Sequence, residues 1–307
     1  MLTRKLVKAG PSSHTIALPK EWIEKNKLKK GDVVYISPVN DDELRVEAKL
    51  GDQKNKVERE TTIDISQKSM DSVQRLLTSA YLNNFSTIVV SGEDVDKKMT
   101  EIRQVVGDFV ALEITDQSSK RVVIKDLLNP SEVSVDKTLR RMDMIVRSMF
   151  DDLLSKPKQE LHFQDKDVNR LYFLMLRALK SALRSEDVAK QLQINAVSVL
   201  SVWQTSTCIE NLSDALTRIA MLMRSLKTRD KALEQVVRNV GNLFADVMGA
   251  YYQSDAMKAD IFAKKRLELE AQLNGVDGSR EVGEIIQETR TMITLVCTVA
   301  KIVIDKD

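Results

Sequence analysis

Apolar positions change their spacing twice along this chain, and each change marks a new kind of structure. Near the start the spacing is two: Leu2, Arg4 and Leu6, then Thr15 and Ala17, lie in alternating segments on either side of "AGPSS", where Gly10 and Pro11 break any regular ladder. That predicts strand, loop, strand. Pro19 suits the first turn of a helix, where its missing N–H would be unpaired anyway, and "KEWIEKNKL" runs on to Gly31, which turns into "VVYIS". The predicted order is β, loop, β, short helix, β, turn, β within about fifty residues, too few for a sizeable core in a lone chain. Such a module is expected to dimerise, burying Ile16, Leu18, Trp22 and Val34.

The polar run "KLGDQKNKVERE", residues 49–60, has almost no apolar content and reads as a linker. Beyond it "TTIDIS" predicts a strand, "SMDSVQRLLTSAYL" an amphipathic helix, "STIVVSG" a buried strand and "DVDKKMTEIRQVV" a helix. "DFVALEIT" and "RVVIKDLL" then form a closing strand pair. This is a small α+β unit ending near Asn129 and Pro130. It holds no phosphate-cradling glycine loop, metal-ligand spacing or carboxylate pair, so a structural or relay role is expected.

After Pro130 the spacing becomes three and four to the end. Val135, Leu139, Met142, Val146, Met149 and Leu153 form one seam; Ile209, Leu212, Leu216, Ile219, Met223 and Leu226 form another; Leu233, Val236, Val240, Leu243 and Val247 a third. Breaks at "SKPKQELHFQ", "SEDVAKQLQIN", "LKTRD", "YYQSD" and "NGVDGSR" divide the region into about six helices, the fifth of them weakest. Two of the helices also repeat each other. "VRSMFDDLL" from Val146 matches "VGNLFADVM" from Val240, with Phe150 and Asp152 answering to Phe244 and Asp246, as a duplicated three-helix unit would. The expected fold class is therefore multi-domain α+β: a β-rich module over residues 1–50, a linker and small α+β unit over 51–130, and an all-α region over 131–307.

Composition adds little until it is mapped. A chain of 307 residues, 43% apolar and 30% charged, is ordinary for a globular protein. No apolar stretch is long enough to span a bilayer and the start leads into no signal-peptide core, so no membrane insertion and a cytoplasmic location are expected. Cys208 and Cys297 fall inside helical patterns without metal or redox spacing and read as core thiols. The net charge of +2 hides an uneven distribution: over residues 1–31 eight lysines and arginines face two glutamates, 8 − 2 = +6, and "DDE" follows at 41–43. A solvated lysine-rich face is the plain reading of such a run, and a polyanion partner the functional one. His14 has no acid placed to orient it, and no catalytic residue is expected there.

Glu210 and Asp214 in "TSTCIENLSDALTRIA" lie four apart, so both project from one helix face, where like charges repel unless a cation sits between them. Asp165 and Asn169 repeat that spacing on the preceding helix. Oxygen donors converging from two helices suit a divalent or ferric ion. The alternative is that Glu210 and Asp214 pair with Arg177 or Arg218 on a solvated face. A di-iron enzyme is disfavoured, because that chemistry uses Glu-x-x-His motifs and His162 falls in an expected connection.

Two resemblances follow from these residues. "RKLVKAGPSSHTIALPKEWIEKNKLKKGDVVYI" resembles the AbrB/SpoVT/MazE swapped-hairpin domain over residues 2 to about 49. The resemblance implies an interleaved homodimer whose basic face binds double-stranded DNA, with Arg4, Lys5, Lys8 and Lys20 on that face. Thr15, Ile23 and Glu24 stand where strongly DNA-binding members often carry arginine, so modest sequence specificity is expected.

"DVNRL" from Asp167, with Asp165 before it, and "IENLSDALTRIA" from Ile209 resemble the paired acidic motifs of the PhoU family of phosphate-uptake regulators. That resemblance implies tandem three-helix bundles, a metal ion on Asp165, Asn169, Glu210 and Asp214, and a phosphate-transporter ATPase or a signalling protein as partner. Aligning "TVA" with "RIA" puts Arg290 and Thr294 where a second set of acids would be, so the metal belongs to the first bundle only. The whole chain, including "LRRM" from Leu139 and "LYFLMLRAL" from Leu171, resembles archaeal proteins that join the two domains. The implied function is non-enzymatic regulation of phosphate uptake, either through DNA or as a transporter adaptor that uses the hairpins only to dimerise.

Overall fold

The structure, a computed structural model, describes residues 3–38, 42–48, 59–155, 160–226, 230–276 and 278–305. The chain divides into two compact units, Met1–Glu58 and Arg59–Asp307. The expected linker lies outside the described residues except at Arg59 and Glu60, and Glu60 already opens a strand.

In the first unit the elements come in the expected order. Strands β1 (Val7–Lys8) and β2 (His14–Thr15) pair antiparallel with Val7 opposite Thr15, helix α1 spans Lys20–Lys25, and β3 (Tyr35–Pro38) pairs antiparallel with β4 (Leu44–Glu47). The β1–β2 ladder is shorter than the alternation suggests, since it pairs only the residues that flank the Gly10–Pro11 loop. A two-stranded hairpin with nothing packed on its face is marginal in water, and two residues a side is what the turn alone holds. Among the described residues of this unit none is buried.

The second unit begins with a four-stranded sheet in the order β5 (Glu60–Asp64), β6 (Thr87–Ser91), β8 (Arg121–Asp126), β7 (Leu112–Gln117). β5 and β6 are parallel because α2 (Met70–Leu82) crosses between them, whereas β8 runs antiparallel to both its neighbours. Ser69 caps α2 by accepting from the Ser72 amide, as its position before the apolar run requires. Val73, Leu77, Ala80 and Tyr81 of α2, with Ile102, Val105 and Val106 of α3 (Met99–Gly107), close over Ile88, Val90, Val122 and Ile124 of the sheet.

The remainder is helical: α4 (Val135–Ser155), α5 (Glu160–Arg184), the short α6 (Glu186–Gln191), α7 (Ala196–Ser225), α8 (Lys231–Gln253), α9 (Ala256–Lys264), α10 (Arg266–Asn274) and α11 (Arg280–Ile304). α5 starts at Glu160, so His162 lies on a helix and not in a connection as expected; His162 and Phe163 are exposed there while Leu161 is buried, one apolar position in a polar stretch that suits a helix start as well as a loop. The expected fifth helix is broken into α9 and α10. Its inward positions Ala259 and Phe262 are followed at the next turn by Arg266, which bonds Glu270 at 2.7 Å where an apolar residue would have continued the seam to Leu269 and Leu273.

α4, α5 and α7 pack on one another, as do α8, α9 and α11, and the two groups meet where α7 lies on α11 and α4 on α8. The repeated "F-x-D" positions face each other across the second contact, with the Phe150 and Phe244 rings 6.2 Å apart. Each repeated aspartate reaches the following helical segment of its own group: Asp152 accepts from Gln164 at 2.9 Å, and Asp246 lies 3.6 Å from Lys265.

Candidate functional site

The basic segment of the first unit is in solvent throughout. Arg4, Lys5, Lys8 and Lys20 are all exposed; Lys8 sits on β1 opposite His14, and Lys20 opens α1, 3.6 Å from Glu24. Both partners of that pair are exposed, so it is weak and leaves the Lys20 ammonium free to contact an anion. Beside these cations Leu6, Val7, Ile16, Val33, Ile36 and Leu44 are each more than half exposed, and Leu18, Trp22 and Val34 are only half-buried. An apolar residue in water costs roughly 1.5–3 kcal/mol relative to full burial, so this surface favours being covered.

The acidic stretch is built on α5 and α7. Asp165 Oδ1 accepts from the Ser213 hydroxyl at 2.8 Å, and Tyr172 and Thr207 hydroxyls meet at 3.2 Å, so the helices run antiparallel with Asn169 at the level of Glu210. The Ser213 oxygen also lies 2.9 Å from the Glu210 carbonyl. One hydroxyl proton serves both acceptors, so Asp165 is held only part of the time. Asp214 pairs with Arg218 at 3.4 Å, and Arg218 also reaches Glu288 of α11 at 3.0 Å. Of the two arginines considered for this pairing, Arg218 takes the role with Asp214 alone.

The Glu210 carboxylate has no hydrogen bond or ion pair among the described residues and is half-buried. Burial, followed by the charges of Asp214 and Asp165, pushes its pKa up to about 7, with Arg218 opposing. Asp165 is likewise raised, by burial first, against the hydrogen bond from Ser213. Among the described residues no three of His, Cys, Asp and Glu converge as a ready-made metal cage. What exists is one carboxylate without a partner among the described residues, Glu210, close enough to Asp165 and Asp214 to feel their charge.

α11 carries no counterpart. Placing Ile209, Leu212, Leu216, Ile219 and Met223 on Thr289, Met292, Val296, Val299 and Val303 matches buried position to buried position. In that register Arg290 and Thr294 take the places of Glu210 and Asp214, and Ile293 that of Ser213. Arg290 bonds Asn274 at 2.8 Å. Cys208 and Cys297 are both free and buried, as expected, and burial pushes the Cys208 thiol up to about 11, which removes its nucleophilic form.

Sequence reading missed a polar joint between the sheet and α5. Arg177, 2% exposed, is not near the acids: its Nε donates to Asn84 Oδ1 at 2.7 Å, its Nη2 to the Asp126 carboxylate, and its guanidinium lies 4.7 Å from the centre of the Tyr81 ring. One turn on, Asn84 donates to Ser181 at 2.8 Å. The available signal was the arginine itself, inside the apolar run "LYFLMLRALKSAL", where only a buried acid makes its charge tolerable. A second such pair, Arg147 to Asp143 at 2.6 and 2.9 Å, lies on α4.

No protein-family model, curated protein or solved structure matches this chain.

Proposed function

We propose that the protein is a non-enzymatic regulator of phosphate uptake that binds double-stranded DNA as a homodimer through residues 1–50 and takes its signal through the helical region. The observation that carries this reading is the character of the first unit. It has the strand and helix order of a swapped-hairpin module, a run of exposed cations at Arg4, Lys5, Lys8 and Lys20, and no buried side chain among its described residues. A module with so much uncovered apolar surface reaches stability by sharing a core with a second copy, which also doubles the number of lysines facing a duplex. Lysine-rich contacts favour phosphate positioning over base reading, consistent with modest sequence preference.

On the helical side, the paired groups of three helices and the acids of α5 and α7 support the PhoU-like reading. Asp165, Asn169, Glu210 and Asp214 are oxygen donors of the kind that divalent or ferric ions take, and Glu210, half-buried without a partner among the described residues, is the residue a cation would most stabilise. A bound ion would supply charge and tie α5 to α7. Chromatin immunoprecipitation from the native host tests the reading: enrichment at phosphate-transport promoters supports it, and absence of enrichment at any promoter rejects it.

A second reading is favoured by a different surface. Val197, Leu200 and Trp203, one or nearly one turn apart on α7, are each about half exposed or more. Such an apolar stripe suits a protein partner, so the chain would act as an adaptor for a phosphate-transporter ATPase or a signalling protein and use its first unit only to dimerise.

A further inference from the structure

The turn after α2 gathers positive charge for which the described residues supply no counterpart. The Asn83 carbonyl accepts from Arg59 at 2.7 Å and from Arg184 at 3.2 Å, and its side-chain oxygen accepts from Lys180 at 2.9 Å and Arg184 at 2.8 Å. Three cations from two parts of the chain thus converge on two neutral oxygens. No ion pair joins any of the three to a carboxylate among the described residues, and Glu186, just beyond Arg184, pairs with Lys190 at 2.9 Å. Arg177, on the same face of α5, shows the contrast: there Asp126 provides the opposite charge. The pKa of Lys180 is lowered by burial first and then by the Arg184 charge.

We propose that Arg59, Lys180 and Arg184 form, at the Asn83 turn, a binding site for a phosphate-type oxyanion. The donors suit that chemistry. Arg59 spends one Nη on Asn83 and leaves the rest of its planar fork unbonded among the described residues, while the Phe85 ring, 4.6 Å from its guanidinium carbon, holds the fork in place. Lys180 has two further protons to give, and Arg184 its Nε. Three positive charges match a phosphate dianion better than a single carboxylate. A groove of about 410 Å³, lined by Thr61, Asp64, Lys68, Ser79 and the same Phe85 that stacks on Arg59, has room for the remainder of an organic phosphate, and its Asp64 carboxylate favours a remainder without a second negative charge. Along α5 the site lies about 22 Å from Asp165 at 1.5 Å per residue, and it shares no residue with the regulator reading, so either can fail alone.

The test is a thermal-unfolding titration of the full chain with inorganic phosphate, with adenosine monophosphate, and with sodium chloride at matched ionic strength. The site requires that phosphate or the nucleotide raise the melting temperature beyond chloride. A larger shift with the nucleotide identifies an organic ester as the ligand, and equal shifts the free anion. Arg59→Gln, an exposed residue with one hydrogen bond to lose, weakens apparent affinity about tenfold, and Lys180→Gln with Arg184→Gln abolishes the shift. In chloride alone the double variant loses three hydrogen bonds to Asn83 and melts lower than the parent, so each variant's phosphate shift is read against its own chloride baseline. Equal shifts in chloride and phosphate, or an undiminished phosphate shift in both variants, overturn the proposal.

Discussion

Two single residues carry charge at a cost that can be measured. Glu210 has its folded pKa raised to about 7 from an ordinary 4.5, so between those values the folded chain holds more protons than the unfolded one. Stability is therefore full below about pH 4.5 and declines as pH rises towards 7. Glu210→Gln removes the penalty, and chemical denaturation should show it stabilising the chain by on the order of 1–2 kcal/mol at pH 8, after allowance for solvent screening, and by nothing near pH 4.5. A loss of stability at pH 8 would show that the carboxylate has a favourable partner instead. Arg177 works in the opposite sense: Arg177→Ala strands the Asp126 carboxylate, 3% exposed, and should cost about 3–5 kcal/mol in the same measurement. A cost below 1 kcal/mol would mean that water reaches Asp126.

At the scale of elements, the α4–α8 contact depends on a missing side chain. A Cβ at Gly241 would stand 3.0 Å from the Phe150 ring, whereas one at Gly249 on the same helix would meet nothing within 4 Å. Gly249→Ala should gain about 0.8–1 kcal/mol of helix propensity, and Gly241→Ala should gain nothing or lose stability because Phe150 must move. Equal gains at both positions would mean that the two helices part easily. The periodic seams of α4, α7 and α8 were legible because a residue's burial on its own helix is written in local spacing: Met142, Leu212 and Val240 are all fully buried. The break at Lys265 was legible only as weakness, since a charged residue in the seam, as at Arg266, does not say whether the helix bends or stops. The Arg177 joint was not legible at all as a pairing. Its acid is 51 residues away on β8, and no local period links a helix position to a strand end. Asp165 with Asn169 and Glu210 with Asp214 were legible as two spaced pairs, and Arg218 as a partner for Asp214; the Ser213 bond to Asp165 and the sharing of Arg218 with Glu288 come from packing between helices and were not.

At the scale of the whole molecule, the first unit is the surface that most needs a partner. Its exposed Leu6, Val7, Ile16, Val33, Ile36 and Leu44 are expected to be covered by a second copy, so sedimentation of the full chain should give twice the 34.7 kDa chain mass at micromolar concentration. A monomer there would remove the shared core. Binding to a duplex through the first unit is tested by its salt dependence. If Arg4, Lys5, Lys8 and Lys20 touch phosphates, the logarithm of the association constant falls linearly with the logarithm of salt concentration, by about 0.9 per phosphate neutralised, and Lys5→Ala with Lys8→Ala flattens that slope. A slope unchanged by the two substitutions, or no binding to any duplex at low salt, would contradict it.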